Sequence, residues 1–215
     1  MGNSRYIAIE GPIGVGKTSL ARRLADSMGG ELLLEQPETN PFLERFYRDP
    51  RGASLPTQLF FLFQRVQQIE QLRQSDIFAE TRISDFLLDK DRLFAEINLD
   101  QAELALYEKV AESIEIDAPA PDLVVYLQAP VDTLLFRIAR RGIDFEQRIG
   151  RRYLERLTEA YARFFHDYDA APLLIVNAAV IDPVHNDAHF GLLREQIDRV
   201  RSGRHFFNPA ASAFG

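Results

Sequence analysis

Residues 6–25 read YIAIEGPIGVGKTSLARRLA, and within them Gly11-Pro12-Ile13-Gly14-Val15-Gly16-Lys17-Thr18 is a complete G-x-x-x-x-G-K-[ST] phosphate loop. The apolar run Tyr6-Ile7-Ala8-Ile9 ahead of it predicts a buried strand. Behind it, Ser19-Leu20-Ala21-Arg22-Arg23-Leu24-Ala25 carries apolar residues at helical spacing. Glycines let the chain turn tightly, so successive N–H groups face the β- and γ-phosphates of a nucleotide, and the helix adds its positive N-terminal end. Gly11, Ile13, Gly14, Val15, Gly16, Lys17, Thr18 and Ser19 are thus the expected nucleotide-binding residues. Lys17 bridges the β/γ oxygens in this reading, and the Thr18 hydroxyl sits on Mg²⁺.

Working outward, five apolar runs at 6–10, 31–35, 77–83, 122–128 and 172–177 alternate with helical patterns, the longest at about 55–74, 100–116 and 149–169. That alternation predicts an α/β fold: a five-stranded parallel sheet with helices on both faces, in three α/β/α layers. In such sheets the site lies outside the carboxyl ends of the strands. Glu35 after the second run and Ser84-Asp85 after the third join the phosphate loop as candidates on that ground. Residues 1–202 read as one domain, and 203–215, with Gly203, Pro209 and several alanines, as a poorly ordered C-terminal tail.

The chain has 215 residues and a net charge of −7, which speaks against a general binder of nucleic acid or anionic membrane. Cysteine is absent, so disulfides, thiolate metal sites and cysteine nucleophiles are excluded. No apolar run reaches the ~18 residues that span a bilayer. The first strand begins within a few residues of Met1, leaving no room for a signal peptide, and Tyr6 stands where a myristoylation signal wants Ser or Thr. A cytoplasmic enzyme is the expectation.

Phosphoryl transfer to a hydroxyl needs a phosphate cradle, Mg²⁺, a carboxylate to take the proton, and cations for the transition state. Glu35 ends an apolar strand just before Pro37 and is a better base candidate than Glu38, which lies out on the loop. Asp85 is placed to hold Mg²⁺, or to cap the next helix. Arg137 and Arg141, at i and i+4, share one helix face before the helix-breaking Gly142. A mobile lid at about 140–150 that brings both arginines to the phosphates is the expected device.

These residues carry a family likeness. GPIGVGKTSL at 11–20, LLLEQPETNPFLERFYRDP at 32–50, FFLFQ at 60–64, PDLVVYLQAP at 121–130 and RIARRGIDFEQRIGRRYLERL at 137–157 resemble the deoxyribonucleoside kinases of nucleoside salvage. The likeness implies that Glu35 is the base on the nucleoside 5′-hydroxyl and that Arg137 and Arg141 meet the phosphates. It casts Tyr47 and Glu146 on the sugar 3′-hydroxyl, Gln64 and Asp91 on the base, and Phe63 as a stacking ring. ATP with Mg²⁺, a deoxyribonucleoside acceptor and a homodimer follow from it, with neither nucleic-acid polymer nor membrane as partner. Gln64 with the acceptor Asp91 suits bases bearing amino groups, which favours deoxyadenosine, deoxyguanosine or deoxycytidine over thymidine, and the family likeness adds a lean to the purines.

One position departs from the family pattern. Asp85-Phe86-Leu87-Leu88-Asp89-Lys90-Asp91 keeps both acids, but Phe86 stands where an arginine near the 5′-hydroxyl is expected. Arg82, Lys90 or a lid arginine must then supply the charge, or catalysis is weaker. Two rival readings remain. A nucleoside monophosphate kinase, such as a thymidylate kinase, would hold an acceptor phosphate on Arg45, Arg48 and Arg51; a nucleotide-binding regulator would turn over little. A GTPase lacks support, because no N-K-x-D signature occurs.

Overall fold

The computed structural model describes residues 5–74, 80–87, 89–114 and 118–209. Six strands form one sheet: β1 (Arg5–Glu10), β2 (Glu31–Leu33), β3 (Thr81–Ser84), β4 (Leu123–Gln128), β5 (Leu173–Asn177) and β6 (Arg204–Phe207). Their order is β2-β3-β1-β4-β5-β6, and every pairing is parallel. The central strands are near-continuous apolar runs because both faces of the sheet are covered. β1 lies between β3 and β4, so the chain's winding reverses beside it. The crevice at that reversal is where an open α/β sheet receives ligands.

Eight helices surround the sheet among the described residues. They are α1 (Lys17–Met28), α2 (Leu43–Arg48), α3 (Ser54–Gln74), α4 (Lys90–Asn98), α5 (Gln101–Ser113), α6 (Val131–Arg141), α7 (Arg151–Asp167) and α8 (Asp187–Arg199). The main core joins the strands to Leu20 and Leu24 of α1, Leu134 and Ile138 of α6, Leu157 and Tyr161 of α7, and Leu193 and Ile197 of α8. A separate cluster of Leu62, Ala95 and Tyr107 welds α3, α4 and α5 together. The result is the three-layer α/β/α fold expected.

Two expectations about elements change. The sheet has six strands rather than five, because Arg204–Phe207, read as the start of a tail, pairs with β5. Only Phe207 of that strand is buried, so it shows no apolar run. β2 stops at Leu33, which leaves Leu34 and Glu35 beyond the ladder. Residues 77–79 of the third apolar run and 210–215 of the tail lie outside the described residues.

Candidate active site

The loop between β1 and α1 is a cradle made by backbone. Gly11 has φ +148°, and a Cβ there would stand 2.5 Å from the Leu127 carbonyl oxygen. Gly14 has φ +84°, and its Cβ would meet Ile138 Cγ1 at 2.8 Å. Any side chain at either position would force the loop off β4 or α6. Lys17 opens α1 and donates from Nζ to the Gly11 carbonyl at 2.7 Å. Burial lowers its pKa, against the pull of Glu10. Thr18 Oγ1 donates to Asp85 Oδ2 at 2.5 Å, while Asp85 Oδ1 accepts from the Glu35 backbone N–H at 2.7 Å. Burial raises the Asp85 pKa, and those two hydrogen bonds oppose it. Asp85 thereby ties the end of β3 to both the phosphate loop and the strand-end acid.

Glu35 lies at the centre of a charged wall. Arg65, on α3, donates to Glu35 Oε1 at 2.6 Å, and Lys90, on α4, to Oε2 at 3.3 Å. Burial works to raise the Glu35 pKa, but Lys90, then Arg65 and Lys17, hold it down at about 2. The Arg65 guanidinium also reaches both Asp91 oxygens, at 3.2 and 3.3 Å, and Gln68 Oε1 at 2.9 Å. Gln68 Nε2 donates to the Leu34 carbonyl at 2.9 Å and so anchors α3 to the segment that carries Glu35. The Asp91 pKa is raised by burial against the opposing charge of Arg65. Behind the wall, the buried Glu10 accepts from Gly11 N, Leu87 N and the Tyr161 hydroxyl at 2.9, 2.8 and 2.8 Å.

Two cavities flank this arrangement. One, of about 130 Å³, holds Glu35, Asp85, Lys90, Asp91, Tyr47 and Glu146 beside Lys17 and Thr18. The other, of about 490 Å³, runs from Gly14–Gly16 and Ser19 to Arg137, Ala178 and the 181–185 loop. Gly14 and Arg141 border both. Within the smaller cavity Tyr47 stacks parallel to Phe145 at 6.1 Å and meets Tyr153 edge-on at 6.4 Å. Arg141 is ion-paired to Glu146. Arg137 donates to the carbonyls of Val15 at 2.9 Å and Ala178 at 2.8 Å, so its guanidinium braces the loop's outer side.

Fourteen of the seventeen expected site residues line one cavity or the other: Ile13, Gly14, Val15, Gly16, Lys17, Thr18, Ser19, Glu35, Tyr47, Asp85, Asp91, Arg137, Arg141 and Glu146.

 The remaining three are Gly11, whose carbonyl holds Lys17, Phe63 and Gln64. Phe63 is half exposed, and Gln64 Nε2 donates to the Gln36 carbonyl at 3.2 Å and to Thr39 Oγ1 at 2.9 Å, so neither faces the cavity. In their place α3 presents Thr57, Gln58 and Phe61. Gln58 and Arg65 are the residues that the sequence reading missed. Thr57, Gln58, Arg65 and Gln68 are all buried, but α3 also carries Gln64, Gln67, Glu70 and Gln71, so polar spacing along the helix does not single them out. At the departure from the family pattern, the Phe86 ring carries the Arg65 guanidinium on its face at 4.1 Å. Lys90 reaches the cavity, whereas Arg82 pairs with Glu31 at 3.4 Å.

Comparison with known proteins agrees with this geometry. The family model described as Deoxynucleoside kinase matches residues 7–200. A deoxyguanosine kinase of Bacillus subtilis is 38% identical over 164 residues, covering 75% of this chain and 78% of its own. A deoxyadenosine kinase of Lactobacillus acidophilus is 31% identical over 212 residues, covering 92% of this chain and 97% of its own. Among solved structures, a deoxyadenosine kinase from M. mycoides with dCMP and a flexible dCDP bound superposes with a TM-score of 0.79 at 28% identity, covering 90% of this chain and 98% of the other. The same enzyme with bound dATP gives a TM-score of 0.78 at 27% identity, covering 90% and 99%.

Proposed function

The chain belongs to the deoxynucleoside kinase family and is an ATP-dependent deoxynucleoside kinase, and from that premise we propose that its preferred acceptors are purine deoxynucleosides, phosphorylated at the 5′-hydroxyl with Glu35 as general base. The observation that carries the assignment is the meeting of Glu35, Lys17, Thr18 and Asp85 on one cavity. A carboxylate for the hydroxyl proton and a cradle for the γ-phosphate are what the transfer requires. The purine preference rests on the relatives named as deoxyguanosine and deoxyadenosine kinases.

The acceptor enters the smaller cavity in this reading. Its base faces Gln58 and Asp91, with Arg65 holding Asp91 in place, and its sugar 3′-hydroxyl meets Tyr47 and Glu146. Gln58 takes the role expected of Gln64, because it lines the cavity and Gln64 does not. The donor base occupies the larger cavity beside Arg137, and Arg141, at the border of both, turns to the phosphates as the lid closes. Thr18 and Asp85 offer a hydroxyl and a carboxylate oxygen, a donor set that fits Mg²⁺. Mg²⁺ held there would neutralise charge on the β- and γ-phosphates. Phe63 and Leu106, both about half exposed on α3 and α5, suit a homodimer surface instead of a base stack.

The monophosphate-kinase alternative finds no footing in this cavity. Arg45, Arg48 and Arg51 do not line it, and Arg48 is paired with Glu44 at 2.5 Å. The test is transfer of labelled γ-phosphate from ATP to the four deoxynucleosides and their 5′-monophosphates. Deoxyadenosine or deoxyguanosine should give the highest kcat/KM. Thymidine as best acceptor would overturn the purine preference, and a monophosphate as best acceptor would overturn the acceptor assignment.

A further inference from the structure

Lys90 is a cation of the acceptor cavity that neither the phosphate loop nor the lid accounts for. It opens α4 and is 4% exposed, yet it lines the cavity with Lys17, Thr18, Glu35 and Asp85. An ammonium has three N–H donors. Among the described residues, Lys90 uses them within hydrogen-bond distance only on Glu35 Oε2, at 3.3 Å. Its second carboxylate neighbour, Glu10, stands 3.6 Å away and already accepts three hydrogen bonds, from Gly11 N, Leu87 N and the Tyr161 hydroxyl. Glu10 thus acts on Lys90 through charge, and ammonium donors are left over for a ligand.

The other cations of the wall are committed elsewhere. Arg65 spends its N–H groups on Glu35, Asp91 and Gln68. Phe86 brings no charge, and its ring covers the Arg65 guanidinium at 4.1 Å. Lys90 therefore has the free donors nearest the proposed base. A group this close to Glu35 lies beside whatever hydroxyl binds Glu35, and beside the phosphorus which that hydroxyl attacks. Burial works to lower the Lys90 pKa, but Glu10 and Glu35 outweigh it and keep the ammonium charged.

We propose that Lys90 is a catalytic residue of the transfer, donating to a γ-phosphoryl oxygen as the group passes from ATP to the acceptor. The proposal rests on Glu35 as the base. The acceptor 5′-oxygen bonds to the γ-phosphorus while the bond to the bridging β-phosphate oxygen breaks, and that bond's electron pair leaves with ADP. Glu35 takes the hydroxyl proton, and Lys90 keeps its own and supplies charge alone. A charge on a flexible stem suits this task, since no planar two-point contact is asked of it.

Lys90→Met and Lys90→Ala should lower kcat about 10²–10³-fold, the range for losing one preorganised transition-state donor. KM for ATP and for deoxyadenosine should stay within about threefold, and circular dichroism should be unchanged. Propylammonium should restore Lys90→Ala at least about tenfold, whereas tetramethylammonium, which has no N–H, should not. Lys90→Arg serves if the truncated variants do not fold, and should retain about a tenth or more of kcat. A kcat within about threefold of the parent, a raised KM with unchanged kcat, equal rescue by both ammonium ions, or a folded Lys90→Arg protein a hundredfold down would each overturn the proposal. Glu35→Gln, measured in parallel, reports on the base alone. If it is fully active while Lys90→Met is slow, the base assignment fails and Lys90 stands; the reverse removes Lys90 and keeps the base.

Discussion

Side chains of the acceptor wall are paired with one another: Glu35 with Arg65 and Lys90, Asp91 with Arg65, Gln68 with Arg65 and the Leu34 carbonyl. The donor cradle is built differently. Its shape comes from glycine backbone at Gly11 and Gly14, and Lys17 and Arg137 rest on carbonyl oxygens of Gly11, Val15 and Ala178. One side is a closed side-chain network that fixes a pocket before substrate arrives. On the other, Lys17 sits on a neutral acceptor that an anionic phosphate oxygen outcompetes. The contrast implies that donor-side substitutions cost rate across all acceptors, and acceptor-wall substitutions away from Glu35 and Lys90 change which acceptor is taken.

The largest effect expected from this contrast lies at Lys17. Lys17→Ala removes the charge on the β/γ oxygens, a contact of the kind worth ~3–4 kcal/mol in the transition state. Turnover should fall about 10²–10³-fold with every acceptor alike, while circular dichroism stays that of the parent. Near-normal turnover would break the comparison at its donor end, because the loop would then not be the ATP site.

Arg141 borders both cavities and tests where the two regimes meet. In this structure it is paired to Glu146 and partly exposed, so it must exchange partners to reach a phosphate. Arg141→Ala should slow transfer about 10–10²-fold. Arg141→Lys should recover little of that, since a point charge does not reproduce the planar fork. Full recovery by lysine would make Arg141 a simple electrostatic patch and move it into the donor-side class.

How far the sequence reveals the two regions follows the same division. The donor cradle is a local object, with its glycines, lysine and threonine inside eight consecutive residues, so its spacing alone points to the proposed ATP site. The acceptor wall is assembled from the segment just after β2, α3 and α4, and its residues lie far apart in sequence. Glu35 is readable because a strand ends beside it. Gln58 and Arg65 are not, because α3 is apolar on more than one side: Leu59 and Leu62 pack toward α4 and α5, while Phe61 joins the cluster of Leu43 and Phe46. With two buried faces, periodicity cannot say which one looks into the cavity. The sixth strand escaped notice for a related reason, since an edge strand burying only Phe207 carries no apolar run.

The smallest effect separates two glutamines on that one helix. Gln58 and Gln64 are six residues apart, which is about 240° around the helix axis, so they cannot share a face. Gln58 is buried and lines the cavity, whereas Gln64 is bonded to Gln36 and Thr39 on another side. Gln58→Leu should leave a polar base edge unpaired in a buried pocket and raise KM for the preferred deoxynucleoside by about 1–2 kcal/mol, near tenfold, with KM for ATP unchanged. Gln64→Leu should move neither KM beyond about twofold, since a partly exposed side chain loses little when its surface hydrogen bonds are replaced by water. Measured side by side, the pair decides which face of α3 reads the base. A rise in nucleoside KM confined to Gln64→Leu would turn the helix over and return base reading to the residue first picked out by sequence.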